Sequence, residues 1–262
     1  MHIPSCPKAI FDASKKQEHQ YNALVIKSNI AVRKARYSLT RNQQVLLNYL
    51  ISELKETDTH ETVKTFDIKT FYDFMEKGDK DYDKVRRDLK ALSDKSWWIK
   101  DKNGDDVLLR FLNTVHTNKY SGKVQIKFHE DMLPYLQHLK REFTEYKIWY
   151  TMTMHSEYSI RLYELLKSAE GNQTWYFEID YLKQLFMCEN YKRFNDFKKR
   201  VLEPAVEEIN TKTDINVSYE LFKSGRAYTG IEFYITAKNA DDKLAADKLI
   251  RAELDGQMSL IE

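Results

Sequence analysis

The chain of 262 residues is poor in the residues that staple, hinge or catalyse, and each shortage excludes a class of protein. Its 2 cysteines, Cys6 and Cys188, lie far apart on dissimilar segments, so no disulfide framework is implied. Only 7 glycines and 4 prolines interrupt it, which predicts a folded, element-rich protein with short connections and no long disordered region. No run of about 18 apolar residues is available to span a membrane. The first residues hold no apolar stretch that would serve as a signal sequence, so a reducing, cytoplasmic setting is expected.

Chemistry is also missing. There is no Gly-x-x-x-x-Gly-Lys-Ser/Thr loop to cradle nucleotide phosphates. The 7 histidines are dispersed, and no two are separated by a single residue, which excludes a His-x-His nicking centre despite 17 tyrosines that could nominally act as nucleophiles. No Cys/His cluster has zinc spacing. His155 ahead of Tyr158 and Arg161 hints at a recombinase, but the helical context favours core packing. The expectation is therefore a protein with no catalytic residue, no metal and no cofactor.

What the chain does have is clustered charge. Its 42 Lys and Arg against 40 Asp and Glu leave a net charge of only +2, but the charges are not mixed evenly. Residues 27–41 carry Lys27, Arg33, Lys34, Arg36 and Arg41 with no acid, and the end of the chain, from Asp241 onward, leans acidic. Residues 191–200, Tyr-Lys-Arg-Phe-Asn-Asp-Phe-Lys-Lys-Arg, set five basic residues against one acid. A near-neutral chain with such clusters suits a protein that offers selected faces to a polyanion.

Periodicity gives the organisation. Leu46, Leu47, Leu50, Ile51 and Leu54 mark an amphipathic helix after Thr40, and Thr62 to Asp67 alternates as a short strand. Asp67 can cap a second helix with Phe71, Phe74 and Met75, ending near Gly78. A third helix carries Tyr82, Val85, Leu89 and Leu92, with Lys80, Arg87 and Lys90 facing away. Ser96 to Lys100 is a strand, Asn103-Gly104 forms a hairpin tip, and Val107 to Thr117 returns. Between the halves, Lys119 to Phe128 alternates as a strand, Glu130 to Leu139 reads as a short helix interrupted by Pro134, and Glu142 to Met154 passes the chain onward. The second half repeats the order. Ser159 to Lys167 is a helix ended by Gly171, Trp175 to Ile179 a strand, and Asp180 caps a helix with Leu182, Leu185 and Phe186. A basic helix over 191–211 follows, then Ile215 to Phe222, a turn at 223–226, and Tyr228 to Ile235.

Helix, strand, helix, helix, strand, turn, strand, read twice, is the order of a winged helix: a helix-turn-helix with a β-hairpin wing. The fold class expected is α+β, with two tandem winged-helix domains. Residues 1–21 are expected as a flexible arm, 22–140 as the first domain, 141–236 as the second and 237–262 as a tail.

In the basic helix, Phe194, Phe197, Val201, Ala205 and Ile209 share one face, and Lys192, Asp196, Lys199, Arg200 and Glu203 project opposite. Lys192, Arg193, Lys199 and Arg200 are the leading DNA contacts. Arg193 and Arg200 suit guanine recognition, because arginine bonds two acceptors at once where lysine more often serves phosphate. Asn195 can pair with adenine if the helix rolls toward it. Lys198 projects toward the apolar side and snorkels. Glu207 and Glu208 make the far end acidic, so DNA is expected against the first two turns, and Pro204 should kink or divide the helix. Lys223 and Arg226 on the wing are expected to touch phosphate. Arg33, Lys34, Arg36 and Arg41 form the expected phosphate patch of the first unit, with Arg87 and Lys90 as secondary contacts. The four tryptophans are expected in core or interface positions rather than as base-stacking platforms.

Four stretches together resemble the iteron-binding, theta-type plasmid replication initiators, the Initiator Rep superfamily. They are residues 35–44 (Ala-Arg-Tyr-Ser-Leu-Thr-Arg-Asn-Gln-Gln), residues 159–166 (Ser-Ile-Arg-Leu-Tyr-Glu-Leu-Leu), residues 197–210 (Phe-Lys-Lys-Arg-Val-Leu-Glu-Pro-Ala-Val-Glu-Glu-Ile-Asn) and residues 223–234. The likeness spans roughly residues 22–236. It implies that the second unit reads double-stranded DNA through its third helix, while the first supplies dimerisation and backbone contacts. It further implies monomers on origin repeats, dimers repressing the chain's own promoter, a monomer–homodimer equilibrium, and contact with the host replication initiator and helicase machinery. No membrane partner is implied. The rival reading is a winged-helix transcriptional repressor with no role in replication; a nicking relaxase-like enzyme is a third.

Overall fold

The structure is a computed structural model and describes residues 22–68, 82–100, 103–137, 139 and 141–258. The first unit opens with β1 (Leu24–Ser28), α1 (Asn29–Lys34) and α2 (Arg41–Ser52). It continues through β2 (Lys64–Asp67), α3 (Tyr82–Asp94), β3 (Ser96–Lys100), β4 (Asp106–Arg110), β5 (Leu112–Asn118) and β6 (Lys123–Phe128). A 3-10 turn (Glu130–Tyr135), β7 (Phe143–Lys147) and α4 (Trp149–Met152) lead onward. The second unit comprises α5 (Glu157–Lys167), β8 (Thr174–Glu178), α6 (Ile179–Leu185), a composite helix, β9 (Ile215–Ser224) and β10 (Ala227–Ala237). The composite, called α7, runs through Phe194–Phe197, a π-helical turn Lys198–Leu202 and Glu203–Lys212. A final helix, α8 (Ala240–Met258), closes the chain.

Local chemistry explains where these elements begin. The α2 start is a capping box: Thr40 Oγ1 accepts from the Gln43 N–H, and Gln43 Oε1 accepts from the Thr40 N–H at 3.1 Å. Val45, Leu46, Leu50 and Ile51 then turn into the core, as do Val85, Leu89 and Leu92 of α3. In β6, Val124, Ile126 and Phe128 are buried and Lys123 and Gln125 exposed, the alternation of a half-buried strand. Two three-stranded antiparallel sheets result, ordered β2-β6-β5 and β8-β10-β9, together with the pairs β3-β4 and β1-β7.

Several expectations need correction. The single return strand over 107–117 breaks at Phe111, whose ring packs 5.4 Å from Trp97 and 5.7 Å from Tyr37. Burying that ring takes the residue out of the ladder, so β4 pairs with β3 while β5 crosses to β6. The segment 143–147 is a strand that pairs back with β1, Val25 opposite Tyr146, although neither was read as a strand. Asp180 is not the cap of α6; Glu178 stands there without a side-chain bond, and Asp180 lies in the first turn, where a carboxylate complements the helix dipole. The segment at 130 is 3-10 in form, and α5 ends at Lys167 with Ser168 as its cap rather than at Gly171. The tail expected over 237–262 contains α8, which buries Ala246 and Ile250 and is tied down by Lys212–Glu253 at 2.9 Å. The arm 1–21 and the helix expected between Asp67 and Gly78, with Lys80 beyond it, lie outside the described residues.

A polar knot is buried where β1, α2, β7 and α5 meet. Glu164 Oε1 accepts from Lys27 Nζ at 2.7 Å, from the Tyr146 hydroxyl at 2.5 Å and from Asn48 Nδ2 at 3.2 Å. Lys27 is 4% exposed and Glu164 1%. Burial alone would push the Glu164 carboxyl up, but the Lys27 ammonium and the Arg161 guanidinium bring it below its ordinary value.

Candidate nucleic-acid interface

The site is assembled by the second unit. Lys192 and Arg193 do not lie on the helix, as expected, but on the turn before it. Arg193 has extended backbone (φ −87°, ψ 130°), and its carbonyl accepts from the N–H groups of Asp196 and Phe197. Helix α7 then starts at Phe194, and its inner face buries Phe197, Val201, Leu202, Ala205 and Ile209. Asn195, Asp196, Lys199 and Arg200 are left exposed. Among the described residues Lys199 and Arg200 have no ion-pair partner, so their charge is available to a ligand. Lys198 is held instead by Glu203 at 3.3 Å, whose hydrogen bond keeps the ammonium's pKa above its ordinary value.

The wing is fastened to the start of this helix. The Phe194 ring lies 4.6 Å from that of Tyr228 on β10, and Lys223 Nζ sits 4.5 Å from the centre of the same ring. The β9–β10 turn passes through Gly225 at φ +61°, a conformation that suits glycine, and leaves Arg226 exposed beside it. Between helix start and wing opens a cleft of about 640 Å³, with Lys192 and Phe194 on one wall and Arg226, Tyr228 and Thr229 on the other. Tyr176, Asp180 and Lys183 also line it. Cations therefore border a groove whose walls are aromatic, an arrangement suited to a phosphate backbone with base edges between.

Tyr176 and Lys183 were not anticipated, although one signal was legible. Gly230 sits inside a strand, beside a bulge between Tyr228 and Gly230. A Cβ there would fall 2.2 Å from the Tyr176 hydroxyl, so only glycine lets that ring lie across the sheet into the cleft. Lys183 is 8% exposed, with its ammonium 3.8 Å from Asp180 and 5.6 Å from the Phe197 ring centre.

The phosphate patch expected of the first unit is not formed. Arg41 is 8% exposed and donates from Nε to the Met154 carbonyl at 2.8 Å and from Nη2 to that of Met152. Arg33 donates to the Ser168 hydroxyl at 2.9 Å and stacks 5.1 Å from the Trp175 ring centre. Both guanidiniums are drawn inward because the carbonyls at the ends of α4 and α5 need donors. Arg36 pairs with Asp106 at 3.5 Å, and only Lys34 points freely to solvent. On α3, Lys90 pairs with Asp94, while Arg87 and Arg86 are exposed and border a shallow groove of about 350 Å³ with Asp83 and Lys90. Trp97 and Trp149 are buried as expected, whereas Trp98 is 43% exposed on the opposite face of β3. Among the described residues no three His, Cys, Asp or Glu side chains are grouped to hold a metal ion, and no helix is long and apolar enough to cross a membrane.

Comparison with known proteins agrees with this architecture. Residues 24–167 match the family model described as Initiator Replication protein, WH1, and residues 178–235 match Initiator Rep protein, WH2. A replication initiation protein of Escherichia coli is 30% identical over 147 residues, covering 54% of this chain and 40% of its own length. The PI protein of Escherichia coli is 28% identical over 159 residues, 52% of each chain. An uncharacterized 27.6 kDa protein of the same organism is 26% identical over 132 residues, 50% of this chain and 55% of that one. The chain thus spans about half the length of the curated relatives it matches. The crystal structure of the Pi initiator protein in complex with iteron DNA superposes with a TM-score of 0.66 at 17% identity, covering 84% of this chain and 99% of that one, a likeness of fold. With the WH1 model running from β1 through α5 and the WH2 model from the end of β8 through β10, the chain belongs to the initiator replication protein family.

Proposed function

We propose that this chain is an origin-binding plasmid replication initiator. Its second unit, residues 141–236, reads the major groove of direct repeats (iterons) by laying α7 in it, with Lys199 and Arg200 at the bases and Lys192, Arg193, Lys223 and Arg226 on the flanking phosphates. The first unit, residues 22–140, adds backbone contacts through Arg87 and Lys90 and carries the dimer surface. Monomers occupy tandem origin repeats, strain the neighbouring duplex, and recruit the host initiator and helicase machinery. Dimers repress the chain's own promoter. The work is done in the cytoplasm by binding, without a cofactor or a catalytic group.

The observation that carries this reading is the joining of the basic helix start to the wing through Phe194, Tyr228 and Lys223, which presents both as one surface. The Pi protein, whose fold this chain shares, binds iteron DNA in its own crystal structure. A circular DNA with no other origin, carrying the gene and its flanking sequence, should be maintained only in cells that make the chain. Maintenance of the same DNA when the gene is interrupted would contradict an initiator role and favour a repressor.

A further inference from the structure

Helix α7 contains a π-helical turn that brings its apolar stripe into closer alignment. Phe197, Val201, Ala205 and Ile209 recur at four-residue steps, and each such step overshoots a regular helical turn by about 40°. Over three steps a regular helix would spread the stripe across roughly 120°. Yet all four side chains are buried, each at most 2% exposed. One turn widened by a single residue removes about 100° of that drift.

Three further observations locate the widening at Lys198–Leu202. The Glu203 N–H donates to the Lys198 carbonyl, five residues back rather than four. Lys198 and Glu203, also five apart, form an ion pair at 3.3 Å, whereas side chains meet at three or four residues on a regular helix. Val201 and Leu202, adjacent in sequence, are both buried, at 2% and 1% exposure. Pro204 follows directly. It has no N–H to give the Arg200 carbonyl, so the bond that a regular helix would make at this point is absent.

We propose that this turn, secured by Pro204, sets sequence readout: it fixes how Lys199 and Arg200 project from a helix anchored on both sides of them. Pro204 is then a positioning residue for specificity, though it touches no DNA. The proposal rests on the DNA-reading role given above to α7.

The test uses two variants of the full chain that change no charge. Pro204→Ala restores the missing donor. Deletion of Val201 removes the extra residue and leaves Phe197, Leu202, Ala205 and Ile209 at steps of four, three and four, a regular helical stripe. Affinity is measured for the preferred repeat and for mixed-sequence DNA at one salt concentration, with thermal melting as the check on folding. Each folded variant should bind the repeat at least tenfold more weakly while its affinity for mixed-sequence DNA and its salt slope stay within twofold. Undiminished preference for the repeat in both variants would overturn the proposal. So would an equal loss on both DNAs, which assigns the turn a purely structural role. A parent protein that prefers no sequence defeats the origin-binding reading itself, before either variant is compared.

Discussion

Arg200→Glu is expected to weaken binding to the preferred DNA sequence by about two orders of magnitude while leaving the melting temperature of the protein within a degree or so. Arg200 is exposed on the outer face of α7 and has no ion-pair partner among the described residues, so its replacement disturbs no packing. A bidentate arginine–guanine contact discriminates by about 1–3 kcal/mol, and a carboxylate in its place adds repulsion from the nearest phosphates. Asp196 and Glu203 already border the site, so a further acid falls where negative charge is least tolerable. Arg226→Ala provides the contrast. A wing residue on phosphate should cost affinity on all sequences alike and lower the salt slope by about one unit. Fluorescence anisotropy with specific and mixed-sequence duplexes, titrated across salt, separates the two. Unchanged specific affinity in Arg200→Glu would remove α7 from the groove.

Lys27→Met is expected to destabilise the fold by about 3–5 kcal/mol without touching DNA, because it strands the buried Glu164 carboxylate. For a chain of this size that is a fall in melting temperature of roughly 10 °C. Adding Glu164→Gln should restore part of the loss, since the stranded charge goes while Tyr146 and Asn48 keep an oxygen to bond. The pH dependence has a fixed sign. Glu164 titrates below its ordinary value in the folded state, so its contribution is complete at neutral pH. It is lost as pH falls below the ordinary carboxylate range toward the depressed folded value. Differential scanning calorimetry of parent and variants from neutral to acid pH measures both effects. A single mutant as stable as the parent would show that the knot contributes nothing.

Much of this architecture was legible because it is local. The capping residue Thr40, the leucine stripe of α2, the alternation in β6 and the repeated element order all depend on neighbours within a few positions. The exposed basic face of α7 was legible for the same reason, whereas the π turn was not, since an inner stripe of four-residue steps drifts by about 40° per step and still fits the broad apolar face of a regular helix. Pro204 gave the place where the helix had to depart from regularity. The basic run over 27–41 misled because charge in sequence reads as charge in solvent. Lys27, Arg33 and Arg41 are instead satisfied by Glu164, Ser168, Met152 and Met154, more than a hundred residues away, and nothing local marks such partners. Lys192 and Arg193 were misplaced by one helical turn, because helix boundaries are weakly encoded when the preceding residues carry no cap. The β1–β7 pairing was missed for a related reason: two short strands, with the paired residues Val25 and Tyr146 121 positions apart, have no turn to announce them.

The most direct test of an origin-binding initiator is a footprint of the purified chain on the DNA that flanks its own gene, at about 0.15 M salt, a concentration at which non-specific phosphate binding is weak. Protection is expected at regular spacing across tandem direct repeats, with the strongest protection in successive major grooves on one side of the duplex. A single protected inverted repeat over the promoter, with no array beside it, would contradict the initiator reading and leave a repressor.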